Sequence, residues 1–186
     1  KEVRAKNGWW ANKYGGQIGF KYFDAFGAKG LYLQAEFNEV RPYTYSHGST
    51  LQNYAHYNQP LAHPLGANFS EMLGIIRYDK KNFSVELKSI VSKYGADSAG
   101  KNFGGDIYMP YTSVVQIYGN KTGQGIANYL MVNELNLTYL ILPKMNLKME
   151  IGALYRQKIA QNTTNNNIYF RAGIKTSLYN VYRDFM

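Results

Sequence analysis

The 186 residues include 18 Tyr, 9 Phe and 18 Gly but only 5 Pro, a composition that favours β-structure over helix. The absence of cysteine excludes disulfides, thiolate zinc sites and cysteine nucleophiles, and no window has the 18 or so apolar residues of a membrane-spanning helix. The net charge of +9 comes from cations scattered along the chain rather than from a basic tail, which argues against a nucleic-acid partner.

Two strands are predicted at the front of the chain, because apolar and polar residues alternate there with a period of two. In the first, Ile18, Phe20 and Tyr22 alternate with Gln17 and Lys21. In the second, the apolar set is Leu31, Leu33, Ala35 and Phe37, and the polar set is Gln34, Glu36 and Asn38. The short link over residues 27–30 predicts that the two strands form a hairpin.

A long link over residues 43–66 follows, and all three histidines lie in or beside it. Their spacing matches no common metal site, so we predict no metal ligation and no cofactor. Together with one acid of the second long link, the side chains suited to binding a surface ligand are Tyr45, His47, His56, Asn58, His63 and Asp106.

Two strands are predicted in the middle of the chain, joined by a short link over residues 79–82. Over residues 68–78 the alternation is ambiguous, because Leu73 and Ile75 share parity with two charged residues. We assign the apolar face there to Met72, Gly74 and Ile76. Over residues 83–93 the split is clear, with Phe83, Val85, Leu87 and Val91 opposite Ser84, Glu86, Lys88 and Ser92.

A second long link spans residues 96–126, and three more strands follow it. Its glycine-rich part, residues 119–125, lacks the spacing of a phosphate-binding loop and is interpreted as external loop. The last strands are predicted over residues 129–141, 147–156 and 168–175, each with an apolar and a polar face. A short link over residues 143–146 joins the first two of them. The link over residues 161–167 belongs to the longer set, although it is shorter than the links over residues 43–66 and 96–126.

Seven alternating strands predict an all-β fold, and the pattern of links favours a transmembrane antiparallel β-barrel. Short links alternate with longer ones, so tight turns gather at one end of the sheet and long loops at the other, as in outer-membrane barrels. Several segments also reach the ~9–11 residues that a tilted membrane strand needs. A soluble β-sandwich is the alternative, because it too has one polar and one apolar face.

The barrel interpretation carries two expectations. Bacterial single-chain barrels normally have an even number of strands, so we expect residues 1–186 to be the C-terminal part of a larger barrel whose N-terminal strands are missing. The side chains expected to face the lumen, where opposite charges on neighbouring strands can pair, are Lys21, Glu36, Glu86, Lys88, Glu134, Lys148, Glu150, Arg171 and Lys175.

A family resemblance is carried by the run Gly30-Leu31-Tyr32-Leu33-Gln34-Ala35-Glu36-Phe37-Asn38, by Val40-Arg41-Pro42-Tyr43-Thr44-Tyr45-Ser46 and by residues 53–69. These segments resemble Wzi-like capsule-assembly barrels and a related outer-membrane protein of gliding bacteria. The resemblance implies a barrel of about eighteen strands, an even number as in other bacterial outer-membrane barrels. It implies attachment of surface polysaccharide, or gliding, and no catalytic residue. Phe185 also resembles the C-terminal aromatic read by the barrel-insertion machinery.

The leading functional hypothesis is a non-enzymatic surface-assembly barrel of the bacterial outer membrane. Its expected partners are outer-membrane lipid and lipopolysaccharide, with surface polysaccharide and other outer-membrane proteins as further candidates. A diffusion porin is the first alternative, because charged residues line the predicted lumen. An outer-membrane hydrolase is the second, since histidines lie near serines in the first long link.

Overall fold

The computed structural model describes residues 2–98, 100–161 and 163–176. Its strands are β1 (Gly15–Phe23), β2 (Leu31–Val40), β3 (Ala55–His56), β4 (Gln59–Pro60), β5 (Phe69–Lys80), β6 (Phe83–Ala96), β7 (Ile126–Leu142), β8 (Leu147–Ala160) and β9 (Thr163–Lys175). One short α-helix, Glu2–Ala5, and four single-turn 3-10 helices complete the described elements: Ala25–Gly27, Thr50–Gln52, Tyr111–Ser113 and Pro143–Met145. Phe185 lies outside the described residues.

Seven strands form one antiparallel sheet in the order β1-β2-β5-β6-β7-β8-β9, so every strand pairs with its neighbour along the chain apart from the small β3-β4 hairpin. The seven predicted strands and the all-β class are therefore confirmed. β1 and β9 are the edge strands, and within the described residues the sheet is not closed. None of the helices described is long and apolar enough to cross a membrane.

The strand register produces two chemically different faces. One row across all seven strands runs through directly opposed residues: Tyr22, Leu33, Ile76, Leu87, Leu135, Ala153 and Phe170. This apolar face is open to its surroundings, with 82% of Phe170 and 73% of Ile18 exposed. The described residues therefore leave the apolar face of the sheet uncovered.

The register also decides the ambiguous strand, β5. Met72 lies opposite Phe37 and Val91, and Ile76 lies opposite Leu33 and Leu87, so both belong to the apolar face as predicted. Leu73 consequently lies on the opposite face, opposite Glu36 and Ile90. That face is thus polar with an apolar stripe, and the stripe caused the ambiguity in the sequence.

Tight turns lie at one end of the sheet. At Gly30 the backbone has φ +83, and a Cβ there would lie 2.2 Å from the Asp79 carbonyl oxygen, so only glycine fits. The prediction of a link over residues 161–167 was wrong in extent. β9 begins at Thr163, and residues 163–167 pair with residues 156–160. These residues are polar on both faces, so they show no alternation although the neighbouring strand holds them in the sheet.

The buried core lies at the other end, beneath the long links. Val40, Ala67, Phe69 and Ile107 form it, joining the ends of two strands to both links. We call residues 41–68 and 100–125 the loop layer. Its side chains include Tyr43 and Asn102, which are almost completely buried. The long links are therefore folded against each other rather than extended.

Candidate functional site

All nine side chains predicted to face a lumen lie on the face of the sheet opposite the apolar one. The register places Lys88 directly opposite Glu134, and Lys148 directly opposite Lys175. Five of the nine, Glu86, Lys148, Glu150, Arg171 and Lys175, line one cavity of about 510 Å³ near the tight turns. The structure thus gathers most of the predicted charges into a single polar surface, which we call the charged face.

Arg171 is the centre of the ion pairs on the charged face. Its guanidinium extends from β9 across β8 and donates to Glu134 and Asn136 on β7, both at 2.6 Å. It also lies 3.4 Å from Glu150. The path crosses Gly152, where a Cβ would come within 2.7 Å of the Asn136 amide oxygen and 3.0 Å of the Arg171 Nε. The role of Gly152 was not identified from the sequence, because the ion pair that passes over it joins β9 to β7 and not to the adjacent strand β8.

Arg77 is a second cation with ion pairs on the charged face, and it was not among the nine predicted lumen-facing residues. It lies 3.1 Å from Asp79 and 4.0 Å from Glu86, and its guanidinium sits over the ring of Tyr32 at 4.9 Å. Exposed pairs of this kind contribute roughly 0–1 kcal/mol each, so they organise the face more than they stabilise the fold.

The loop layer is held together by buried amides, with Asn68 at their centre. Its Nδ2 donates to the carbonyls of Gly95 and Gln124, while its Oδ1 accepts from the backbone N–H groups of Gly123 and Gln124. These four bonds join the beginning of β5, the end of β6 and the second long link. Buried polar groups need partners, and one fully buried side chain here supplies them for three segments.

The residues before β1 cross over the loop layer and fasten both links. Trp10 donates its backbone N–H to Ile117, and Arg41 donates to the carbonyls of Asn12 and Asn120. Lys13 donates to the Ser46 carbonyl at 2.7 Å. Burial lowers the pKa of Lys13 from its usual value.

His63 is the binding candidate with the most defined surroundings. Its Nε2 lies 3.2 Å from the Glu71 carboxylate, its Nδ1 accepts from the Leu65 N–H, and its ring stacks on Phe69 at 4.3 Å. Because Nδ1 accepts a bond, Nε2 is the nitrogen that donates to Glu71. Glu71 is almost buried and also accepts from Ser92.

The remaining candidates are dispersed over the loop layer. Tyr45 stacks on Tyr54 at 5.5 Å and, with His63, lines a cavity of about 440 Å³. His47 and His56 are exposed, and Asn58 occupies the tip of the β3-β4 hairpin.

Asp106 is exposed and accepts the Tyr108 N–H in a local turn. In the described part of the chain no group of three His, Asp or Glu side chains is placed to hold a metal ion.

Comparisons with protein-family models, with curated proteins and with solved structures gave no match to this chain. The class is therefore defined by the geometry alone. It is an all-β protein whose single large antiparallel sheet has an exposed apolar face, a charged face and a folded loop layer at one end.

Proposed function

We propose that this chain forms part of the wall of a β-barrel in the bacterial outer membrane and takes part in surface assembly. The observation that carries the proposal is the exposed apolar face, which crosses all seven strands without interruption by a charged side chain in its central row. A soluble sheet of this width buries such a face against a second layer. In a barrel, lipid covers it.

The dimensions of the sheet support the same proposal. β5 to β9 have 12 to 17 residues each, more than the ~9–11 that a tilted strand needs to cross the hydrocarbon core. Aromatic side chains lie at both ends of the apolar face, with Phe83 packed on Tyr139 near the tight turns and Tyr129 near the loop layer. Aromatic residues at two such levels are typical of the girdles at membrane interfaces.

The surface-assembly part of the proposal rests on the loop layer. Its exposed side chains include Tyr57, Tyr54 and Leu51, which are held on a folded support rather than on extended loops. An exposed surface that contains aromatic side chains suits a polysaccharide or another outer-membrane protein. We assign no catalytic role, since the Ser46 hydroxyl in the first long link donates to the Tyr43 carbonyl and not to an imidazole.

Single-cysteine labelling tests the orientation, because residues 1–186 contain no cysteine. We expect Leu51→Cys, in the loop layer, to react with a membrane-impermeant maleimide on intact cells. The matched variant Asn82→Cys, in a tight turn, should react only after the outer membrane is permeabilised. The reverse pattern, or equal labelling in a soluble fraction, would refute the proposal.

The role in surface assembly has its own test. Deleting the gene should reduce retained surface polysaccharide or abolish gliding, and the intact gene should restore the phenotype. A deletion strain that is normal in both respects would leave the membrane proposal standing but remove the assembly role.

A diffusion porin is the second candidate, favoured by the cavity of about 510 Å³ that residues of the charged face line near the tight turns. Incorporation into planar bilayers distinguishes the two. Single-channel conductance would support the porin, and a closed bilayer at all voltages would exclude it.

A further inference from the structure

A second cavity lies where β1, β2 and β5 meet the first long link. Its volume of about 440 Å³ falls within the range of about 300–1,000 Å³ that is usual for small-molecule sites. Six of its lining side chains carry polar groups: Gln17, Glu36, Asn38, Tyr45, His63 and Glu71. They come from three strands and one link, so the site forms only when the loop layer is folded.

The acceptors at this cavity include the carboxylates of Glu36 and Glu71, which also accept bonds from Gln34 and Ser92 outside the lining. The Gln17 Nε2 donates to Glu36 at 2.9 Å, and the Asn38 Nδ2 lies 3.4 Å from Glu71, so amide N–H groups are directed at the two carboxylates. The amide oxygens and the remaining carboxylate lone pairs are left for a ligand. A ligand rich in hydroxyl or ammonium donors therefore matches the cavity.

The charge of the cavity contrasts with that of the chain. Although the whole sequence has a net charge of +9, the only formally charged residues among those described around the cavity are Glu36 and Glu71. Residues 42–70, which include the link above it, contain no Asp, Glu, Lys or Arg. A ligand carboxylate would face two like charges with no nearby cation from this link, which is an unfavourable arrangement.

The walls are also fixed before a ligand arrives. Tyr45 has a left-handed backbone with φ 73, and its ring is stacked on Tyr54. Its hydroxyl lies next to Gly15, 3.5 Å from the position that a Cβ would take there. His63 is held by Phe69, Leu65 and Glu71. Pre-organised walls reduce the entropy that binding would otherwise lose.

We propose that this cavity binds a saccharide unit that carries hydroxyl or ammonium groups and no carboxylate. The inference rests on the proposed function, in that the loop layer is the part of the molecule expected to meet surface glycans. It goes further by naming the cavity and by excluding acidic sugars from it.

The test uses the protein as the cell produces it, extracted in detergent, with three trisaccharide probes of equal length. These are an N-acetylglucosamine trimer, a glucosamine trimer and a galacturonic acid trimer. We expect the first two to bind and the third to bind at least about tenfold more weakly.

Glu36→Gln removes one carboxylate but keeps the shape of the side chain. It should weaken binding of the glucosamine trimer by about tenfold, since hydrogen bonds to charged groups are the strongest. Ala62→Trp, in the link, should block both binding probes by filling the cavity. Glu86→Gln, on the same face of the sheet and in the other cavity, should change neither.

Folding of each variant is checked first by gel electrophoresis, through the change in its mobility on heating. A failure to fold is then not mistaken for a failure to bind. Tight binding of the uronate trimer, or equal binding of all probes by wild type and Ala62→Trp, would overturn the inference. The protein can pass the cysteine-labelling test of membrane orientation and yet bind none of the trimers. In that case the cavity inference fails while the membrane proposal stands.

Discussion

The paired substitutions Leu87→Arg and Lys88→Leu measure what covers each face of the sheet. Leu87 lies near the middle of β6, opposite Ile76 and Leu135 on the apolar face, and 43% of it is exposed. Lys88 is its neighbour along the chain and lies on the charged face, opposite Glu134. The two positions share depth, strand and backbone conformation, so they differ mainly in which face they occupy.

The expected magnitudes depend on the solvent at the apolar face. If that solvent is lipid, Leu87→Arg should lower the free energy of unfolding by about 2–4 kcal/mol, the cost of a cation near the bilayer midplane. If it is water, a half-exposed leucine on a sheet surface should tolerate arginine within about 0.5 kcal/mol. Lys88→Leu loses at most one cross-strand attraction, about 0.2–1 kcal/mol, in either case.

The assay is denaturant titration of the folded protein in phospholipid vesicles, followed by tryptophan fluorescence from Trp9 and Trp10. Coverage of the apolar face by lipid requires Leu87→Arg to be the more damaging of the pair by at least about 1 kcal/mol in the vesicles. Equal small effects would refute it. So would cooperative folding of the wild-type chain in plain buffer without lipid or detergent.

Five further substitutions, in three comparisons, test local packing by the same titration. Gly152→Val should displace the guanidinium that crosses it and cost about 1–3 kcal/mol, whereas Gly173→Val, with no described atom within 4 Å of its Cβ, should cost less than about 0.5 kcal/mol; equal costs would contradict the crossing. Asn68→Ala should leave buried backbone groups without partners, cost about 3 kcal/mol or more, and expose the loop layer to protease, while resistance like that of wild type would count against the network. Gly27→Ala should cost about 1–2 kcal/mol for its left-handed backbone alone, and Gly30→Ala clearly more because of the facing carbonyl; the opposite ranking would contradict the turn geometry.

The strands could be predicted because alternation is a local signal. β6 and β7 have a clean apolar set at every second residue, and each was found within a few residues of its observed ends. β5 was harder, since Leu73 and Ile75 are apolar but lie on the charged face. Only the partners of Met72 in the neighbouring strands decide its face, and that information is not local.

The loop layer could not be predicted for a related reason. Asn68 and Gln124 are residue types that are usually exposed, yet here they are buried because their side chains bond to backbone groups at least 21 residues away in the sequence. The partners of Asn120 include Gly8, more than a hundred residues earlier. The same holds for the three histidines among the predicted binding residues. Their spacing gave no indication that His63 alone would contact a buried carboxylate.

The position of Asn68 has a consequence for how the chain finds its native pairing. Its backbone carbonyl accepts the Gly95 N–H while its side chain donates to the Gly95 carbonyl, one residue beyond the last pair of the β5–β6 ladder. A slip of one residue between these strands would turn every apolar side chain of one strand to the wrong face. The same slip would place Asn68 opposite Tyr94 or Ala96, away from the one glycine whose missing Cβ leaves room for it. The bonds of Asn68 to β6 and to the second long link therefore form in the native alignment, so closure of the loop layer favours correct strand pairing during assembly.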